Sequence, residues 1–231
     1  LTSDILQLAG ISLMIMSILR RYIKNYWLIL AIASVILLIA PCLWGLKSGQ
    51  PVIDEVLNLF WGAENKAYFP VFPWLSFPLL GMFLGSFLAN SQELNRTFKQ
   101  IGLIGLPLTS IGLVISFTNP SYHFGDYYHP AQGGMIYMIG FVMFWLWICN
   151  EIVNNFPRNK LLRLFDRWSK DVTSIYFIQW CIIEWLAYFV GYQDKDIIST
   201  IFLMVSIALS SHFINQIYQK YRQASSVKLT V

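Results

Sequence analysis

The sequence predicts an all-α fold: a polytopic bundle of transmembrane helices, with about seven spans in this chain. Three observations predict it. Of the 231 residues, 56% are hydrophobic and only 12% are charged. Apolar runs approaching the about 20 residues that cross a bilayer recur along the whole chain. Aromatic residues reach 16%, which suits a protein with two membrane–water interfaces. We therefore expect one transmembrane domain over residues 1–231.

Polar or basic turns separate the predicted spans. The seven spans are Ile5–Leu19, Tyr26–Leu46, Pro70–Ala89, Ile101–Phe117, Gly134–Val153, Val172–Tyr192 and Ile197–Ile217. The first run lacks a basic leader region and a small-residue cleavage site, which argues against a signal peptide. Because the chain opens on Leu1, we expect further spans upstream, and about three would fit the topology below.

Lysine and arginine are distributed very unevenly between the two sets of loops. One set contains thirteen of them and the other three. The thirteen are Arg20, Arg21, Lys24, Arg96, Lys99, Arg158, Lys160, Arg163, Arg167, Lys170, Lys220, Arg222 and Lys228; the three are Lys47, Lys66 and Lys195. Since basic loops stay in the cytoplasm, this predicts a cytoplasmic C-terminus. The net charge of +4 therefore reflects topology, and we expect no nucleic-acid partner.

Metal and disulfide chemistry is not indicated by the cysteines. Cys42, Cys149 and Cys181 all lie inside apolar runs and have no CxxC spacing, which argues against a zinc site or a disulfide framework.

Two outer loops are long enough to have a function. Residues 47–69 carry an amphipathic pattern that predicts a helix lying along the interface. Residues 116–133 contain His123, Asp126 and His129. A histidine beside a carboxylate is the arrangement that orients a general base, although a solvated loop would look the same. Their spacing is weak evidence for a metal, and we expect none.

Polar residues inside spans usually face a cavity or a neighbouring helix because lipid cannot solvate them. Asp4 at the outer end of the first span is either an interfacial residue or part of a pocket. Glu184 and Gln179 in the sixth span fit a structural hydrogen bond as well as a functional role. His212 in the seventh span fits packing.

The third predicted span has an unusual composition. Pro70, Pro73 and Pro78 fall within nine residues, which breaks or kinks a helix and requires the freed carbonyls to face protein or water. Gly81 and Gly85 follow at the spacing that allows close helix contact. A tightly packed kinked helix and a pocket wall both fit.

Several of these segments resemble a known family. Residues 69–85 (FPVFPWLSFPLLGMFLG), 4–7 (DILQ), 126–129 (DYYH) and 172–180 (VTSIYFIQW) are similar to segments of bacterial members of the heparan-alpha-glucosaminide N-acetyltransferase family. That family lies within the broader acyltransferase-3-like membrane proteins. The resemblance covers nearly the whole chain. It implies a bacterial inner-membrane enzyme that takes an acyl group from acetyl-CoA in the cytoplasm and passes it to a sugar outside.

The resemblance also assigns expected roles. The family's catalytic histidine belongs to early spans with no counterpart here, so no residue inherits that role. From the residues themselves, His129 with Asp126 is our candidate for acceptor-side catalysis. The residues expected to contact the acceptor are Asp4, Trp74, His123, Tyr128, Gln179 and Glu184. Those expected to hold the phosphates of CoA are Arg158, Lys160, Arg163 and Arg167, although topology alone predicts the same cations.

Three functions therefore remain open at this point. The leading one is a membrane acyltransferase acting on an extracytoplasmic glycan, and the second is a transporter or exporter, which would show corresponding halves with paired broken helices. The third is a non-catalytic membrane partner. Membrane lipids are expected partners, and a homo-oligomer is left open.

Overall fold

The computed structural model describes residues 5–62, 67–157, 159–191 and 196–228. Every regular secondary-structure element in these residues is a helix. The helices are α1 (Ile5–Tyr22), α2 (Tyr26–Leu43), α3 (Pro51–Trp61), α4 (Val71–Trp74), α5 (Ser76–Ala89), α6 (Leu94–Thr118), α7 (Pro120–Phe124), α8 (Gln132–Asn155), α9 (Lys160–Lys170), α10 (Val172–Val190) and α11 (Ile197–Lys228). In the described part, seven helical segments are long and apolar enough to cross a membrane, with α4 and α5 counted together. The all-α polytopic fold is confirmed. The predicted end of the sixth span, Tyr192, lies outside the described residues.

The chain divides into two compact units, residues 1–155 and 156–231. The first unit contains α1–α8 and the second contains α9–α11. In the first unit, the Asn154 side chain donates a hydrogen bond of 2.9 Å to Asn95, so the end of α8 meets the start of α6. This end also carries Lys24 and Asn90, which line one cavity. We call it the basic end, and the opposite end of the first unit the aromatic end.

The core of the first unit lies where α2 packs against the broken third span. The side chains of three α2 residues pack against three residues of the broken span and are buried there: Ile29, Ala33 and Ile36 against Val71, Leu75 and Leu79. Each of these six residues is at most 7% exposed. Lipid tails are as apolar as these side chains, so close van der Waals packing rather than hydrophobic transfer holds the helices together.

The proline-rich span is broken, as predicted. Phe72 has extended backbone angles (φ −101°, ψ 119°) inside α4, and a separate helix α5 begins at Ser76. The hydroxyl of Ser76 donates a 2.7 Å hydrogen bond to the carbonyl of Pro73, which satisfies an acceptor that the break leaves unpaired. The break leaves the indole of Trp74 at the aromatic end.

Gly81 and Gly85 have the spacing that allows close helix contact, but they make no such contact with the described residues. A Cβ built on either residue would meet nothing within 4 Å. The close contact lies between α6 and α8 instead, where a Cβ on Gly105 would come within 2.7 Å of the Gly140 carbonyl oxygen. Gly112 lies equally close to the backbone of Tyr137. Glycine spacing alone does not show which face of a helix meets a neighbour.

The amphipathic pattern of the long outer loop forms α3, as predicted. Pro51 occupies its first turn, where no backbone donor is lost. It ends at Gly62, which adopts left-handed angles (φ 68°, ψ 48°) that favour glycine. The Asp54 carboxylate accepts hydrogen bonds from the backbone and hydroxyl of Ser48, at 2.6 and 2.8 Å. This contact ties the start of α3 to the loop after α2.

In the second unit, α9 is held against the C-terminal half of α11. The indole N–H of Trp168 donates to Nδ1 of His212 at 2.8 Å. Asp171, at the junction of α9 and α10, accepts hydrogen bonds of 3.0 Å from both Asn215 and Gln219. These contacts fix the exposed basic face of α9 relative to α11.

Candidate functional site

The candidate site lies at the aromatic end of the first unit, in the loop between α7 and α8. Asn119 caps α7, where its side chain accepts a hydrogen bond of 3.3 Å from the Tyr122 backbone. This short helix turns the chain back, and the loop of residues 125–131 follows it before α8 begins at Gln132. The loop carries both residues predicted to act on an acceptor, Asp126 and His129.

Asp126 and His129 contact one another directly. The distance between Asp126 Oδ2 and His129 Nδ1 is 2.7 Å, and the other carboxylate oxygen accepts the backbone N–H of Tyr128 at 2.8 Å. Desolvation raises the pKa of Asp126, but the hydrogen bonds from Tyr128 and His129 lower it by more. The pKa therefore lies below its ordinary value of 3.8. The carboxylate is therefore ionised at neutral pH and accepts the Nδ1 proton. Nε2 is left as the basic nitrogen of the imidazole.

The basic nitrogen of His129 is covered in this structure. Nε2 is buried and has no hydrogen-bond partner among the described residues. It faces the backbone at the end of α3, because a Cβ on Gly62 would overlap it. Trp44 packs edge-on against the imidazole with ring centroids 6.0 Å apart, and its indole N–H is likewise buried without a partner in the described part of the chain. Two unpartnered polar atoms therefore lie in one small buried region.

Trp74 supports this loop from the broken third span. Its indole N–H donates a 2.8 Å hydrogen bond to the carbonyl of Tyr128, the same residue whose N–H binds Asp126. Its ring packs against Phe69 at 5.2 Å and lies 6.5 Å from Tyr127. Tyr68 adds an edge contact of 4.9 Å with Tyr128. Residues 68, 69, 74, 127 and 128 form what we call the aromatic cluster.

The aromatic cluster is accessible from the aqueous side of the loop. Tyr127 is 70% exposed and Tyr68 is 50% exposed, whereas Trp74 and Tyr128 are half-buried. Aromatic rings with one free face can stack on the apolar C–H face of a sugar, while their polar tips hydrogen-bond its hydroxyls. The arrangement therefore offers aromatic faces, inclined to one another by 50–88°, next to a histidine–carboxylate pair.

His123 occupies a structural position rather than an open one. It is 6% exposed, and its Nδ1 accepts the backbone N–H of Gly133 at 3.2 Å. Gly133 permits this approach, since a Cβ there would lie 3.0 Å from the same nitrogen. The contact joins α7 to the start of α8. A substrate contact by His123 stays a prediction, and its geometry points to support of the loop.

The remaining predicted acceptor contacts lie outside this site. Asp4 is not among the described residues. Gln179 and Glu184 belong to α10 in the second unit, where Gln179 is half-buried and Glu184 exposed. The structure records no hydrogen bond for either side chain among the described residues. Their proposed roles stay predictions.

The predicted phosphate-binding cations fall on one helix. Lys160, Arg163 and Arg167 are exposed on α9, and their spacing of three and four residues places them on a single face. Arg158 lies outside the described residues. Leu164 and Trp168, on the adjoining face of α9, are half-buried. A helix with separate charged and apolar faces is suited to an interface, with its cations towards water.

The sequence gives no direct signal for Trp44 and Gly62. Both come from segments far from His129 along the chain, and only the folded loops bring them into contact with it. The position of Gly62 after an amphipathic run marked a helix end, but not its neighbour. Among the described residues, no group of three or more His, Cys, Asp or Glu is arranged to hold a metal ion.

Comparison with known proteins gives one match. The family described as an acyltransferase domain, Acyl_transf_3, matches residues 5–214, a stretch that includes all or most of each of the seven candidate spans and parts of both compact units. No curated protein matches the chain, and no solved structure matches it either.

Proposed function

Because the chain belongs to the acyltransferase-3 family, we propose that it transfers an acetyl group from acetyl-CoA, bound at the cytoplasmic side, to a sugar or glycan outside. The match over residues 5–214 carries this proposal. The closer likeness to the heparan-alpha-glucosaminide N-acetyltransferase group rests on the sequence segments alone and stays a prediction.

The donor is assigned to the second unit on the basis of charge. The phosphates of CoA are recognised by arginine and lysine side chains that donate charge-assisted hydrogen bonds. Lys160, Arg163 and Arg167 present three such donors on one exposed face of α9. The positive-inside rule also accounts for cations here, so their role needs a direct binding test. The hydrogen bond from Trp168 to His212 would keep this face in place during binding.

The acceptor is assigned to the aromatic end of the first unit. A sugar stacked on the aromatic cluster would lie beside the loop that holds His129 and Asp126. His129 Nε2 would take the proton of an acceptor hydroxyl or amine as its oxygen or nitrogen forms a bond to the acetyl carbonyl carbon. The carbon–sulfur bond then breaks, and the CoA thiolate leaves and takes up a proton. Asp126 would stabilise the resulting imidazolium.

The covered state of His129 has a consequence for this chemistry. An acceptor reaches Nε2 only if the turn at Gly62 moves away from it. Gly62 ends α3, which is linked to the loop after α2 by Asp54 and Ser48 and has Val52 and Val56 exposed. Acceptor binding would therefore be coupled to a movement of the last turn of α3.

The transporter alternative is not favoured. It predicts paired broken helices in corresponding halves, whereas the described residues show one strongly broken span, at α4 and α5. The family match also points to acyl transfer. We place the protein in the bacterial inner membrane with its C-terminus in the cytoplasm. Lipids surround it there, and a homo-oligomer stays open.

The test is acetyl transfer by the full-length protein in proteoliposomes of known orientation. Labelled acetyl-CoA is supplied on the side of α9, and amino-sugar or glycan acceptors on the other. Label on the acceptor establishes the reaction and its direction. If no acceptor in a broad panel is labelled while unlabelled glycan crosses the bilayer, the protein is a transporter.

Two variants test the residue roles. General-base catalysis is worth about 100- to 10,000-fold, so His129→Gln is expected to reduce transfer at least about 100-fold. Glu93→Gln is the matched control, because Glu93 is also an acid paired with a cation three residues away but lies at the basic end, outside the candidate site. Unchanged transfer by His129→Gln would show that another residue, not this pair, acts as the base.

A further inference from the structure

An apolar groove runs along the membrane-spanning part of the first unit. It has a volume of about 830 Å³ and lies between α2, α5, α6 and α8. Residues lining it include Leu30, Leu37, Leu84, Ile104, Leu108 and Met143. The groove is open on one side. Neither His129 nor any residue of the aromatic cluster lines it.

The groove has the length of one membrane leaflet. On α2 its lining extends from Trp27 to Leu38, which corresponds to about 16 Å along a helix rising 1.5 Å per residue. The hydrocarbon core of a bilayer is about 30 Å thick. Since Trp27 lies next to the basic end, the groove begins at that end, and its far limit on α5 is Ser76.

A smaller cavity adjoins the groove at the basic end. It has a volume of about 210 Å³ and shares Trp27, Phe83 and Phe87 with the groove. Its other lining residues are Lys24, Asn25, Tyr26, Ser86 and Asn90. The apolar groove therefore adjoins a pocket whose lining residues include one cation and several amide or hydroxyl side chains.

The donors of this pocket are partly used within the protein. Asn25 accepts the backbone N–H of Trp27 through its oxygen at 3.0 Å, which leaves its amide N–H groups. Lys24 makes no ion pair among the described residues. The acidic residue Glu93 at this end pairs with Arg96 at 3.7 Å. Positive charge at the mouth of the groove is therefore not neutralised by these contacts.

We propose that this groove and pocket bind one anionic phospholipid of the leaflet at the basic end, with an acyl chain along α2 and α5 and the phosphate at Lys24. The charge at the mouth favours an anion, and the continuous apolar lining favours a ligand that carries its own chain. In a membrane the chain gains no hydrophobic energy by leaving bulk lipid. Selectivity therefore comes from the headgroup, and one lysine near the surface favours an anionic lipid about fivefold.

The experiment is native mass spectrometry of the full-length protein, delipidated in detergent and then titrated with dioleoyl-phosphatidylglycerol or dioleoyl-phosphatidylcholine. We expect the phosphatidylglycerol adduct to form at about fivefold lower lipid concentration. Soluble glycerol phosphate, which has the anion without the chain, should give no adduct. Lys24→Gln should bring the two lipids to equal affinity, whereas Arg20→Gln, a basic-end control outside the pocket, should not.

A plug in the groove tests the chain-binding part. Ser34 lines the groove, while its neighbour Val35 is 51% exposed and does not line it. Ser34→Trp should abolish the selective adduct and Val35→Trp should keep it. Ser34→Leu provides a smaller plug should the tryptophan variant fail to fold. The proposal is overturned if the plugged variants retain the adduct, if Lys24→Gln leaves the fivefold preference unchanged, or if glycerol phosphate binds as well as the lipid.

Discussion

The contact between α6 and α8 makes a quantitative prediction for Gly140→Ala. A Cβ at this position would lie 2.8 Å from the carbonyl oxygen of Gly105 and 2.8 Å from the carbonyl carbon of Leu108. Both are backbone atoms, which cannot rotate away as the end of a side chain would. The two helices must therefore separate locally, and the packing on either side of the contact is lost with that separation.

The expected magnitude follows from two opposing effects. Overpacking a close contact costs about 1–3 kcal/mol, and alanine returns about 1 kcal/mol over glycine in a helix. The net destabilisation is about 0–2 kcal/mol. For a protein of this size each kcal/mol lowers the Tm by about 2–4 °C, so we expect a decrease of up to about 8 °C.

Gly81→Ala is the matched control. Gly81 is also inside a membrane-spanning helix, but a Cβ there meets nothing within 4 Å. Only the gain in helix propensity remains, so this variant should melt at the wild-type temperature or slightly above it. Thermal unfolding of both variants in one detergent, at one scan rate, measures the difference. Both variants share the gain in helix propensity, so a Tm for Gly140→Ala at or above that of Gly81→Ala would refute the assigned helix contact.

Three further outcomes are expected. Trp74→Phe keeps an aromatic ring but removes the hydrogen bond to Tyr128. It should lower the free energy of unfolding by about 0.5–1.5 kcal/mol, with a small decrease in Tm, and weaken acceptor binding in the transfer assay. The folded-state pKa of Asp126 lies below 3.8. Its hydrogen bonds therefore stabilise the fold fully above pH 3.8, and this stabilisation is lost as the pH falls through the folded-state pKa. Asp126→Asn should remove the contribution of Asp126 to the acid dependence of the Tm. Trp168→Phe should increase proteolysis of α9, because it removes the donor to His212 that holds this helix on α11.

Much of the fold was predictable because it depends on local composition. The number of spans, the interruption at Pro70 to Pro78 and the amphipathic helix after the second span are all confirmed. Each follows from the contact of the chain with its solvent: lipid requires long apolar helices, proline lacks a backbone donor, and a one-sided apolar pattern lies flat at an interface.

The candidate site was predictable only in part. A separation of three residues in a short loop allows Asp126 and His129 to meet, but it does not require it. The 2.7 Å contact forms because Tyr128 is anchored at both backbone groups, by Trp74 from another helix and by Asp126 itself. The burial of Nε2 against Gly62 depends on a segment more than sixty residues away in the sequence.

The sequence by itself determined that this chain is a helical membrane protein, with seven spans, two unequal sets of loops and a broken third span. Hydropathy and proline content decide these features, whatever the helices later contact. Only the tertiary structure decided that Gly105 and Gly140, rather than Gly81 and Gly85, form the close contact, and that His129 lies covered beneath the end of α3. The reason is physical: a glycine or a histidine has the same local pattern in either position, and its role depends on which distant surface packs against it.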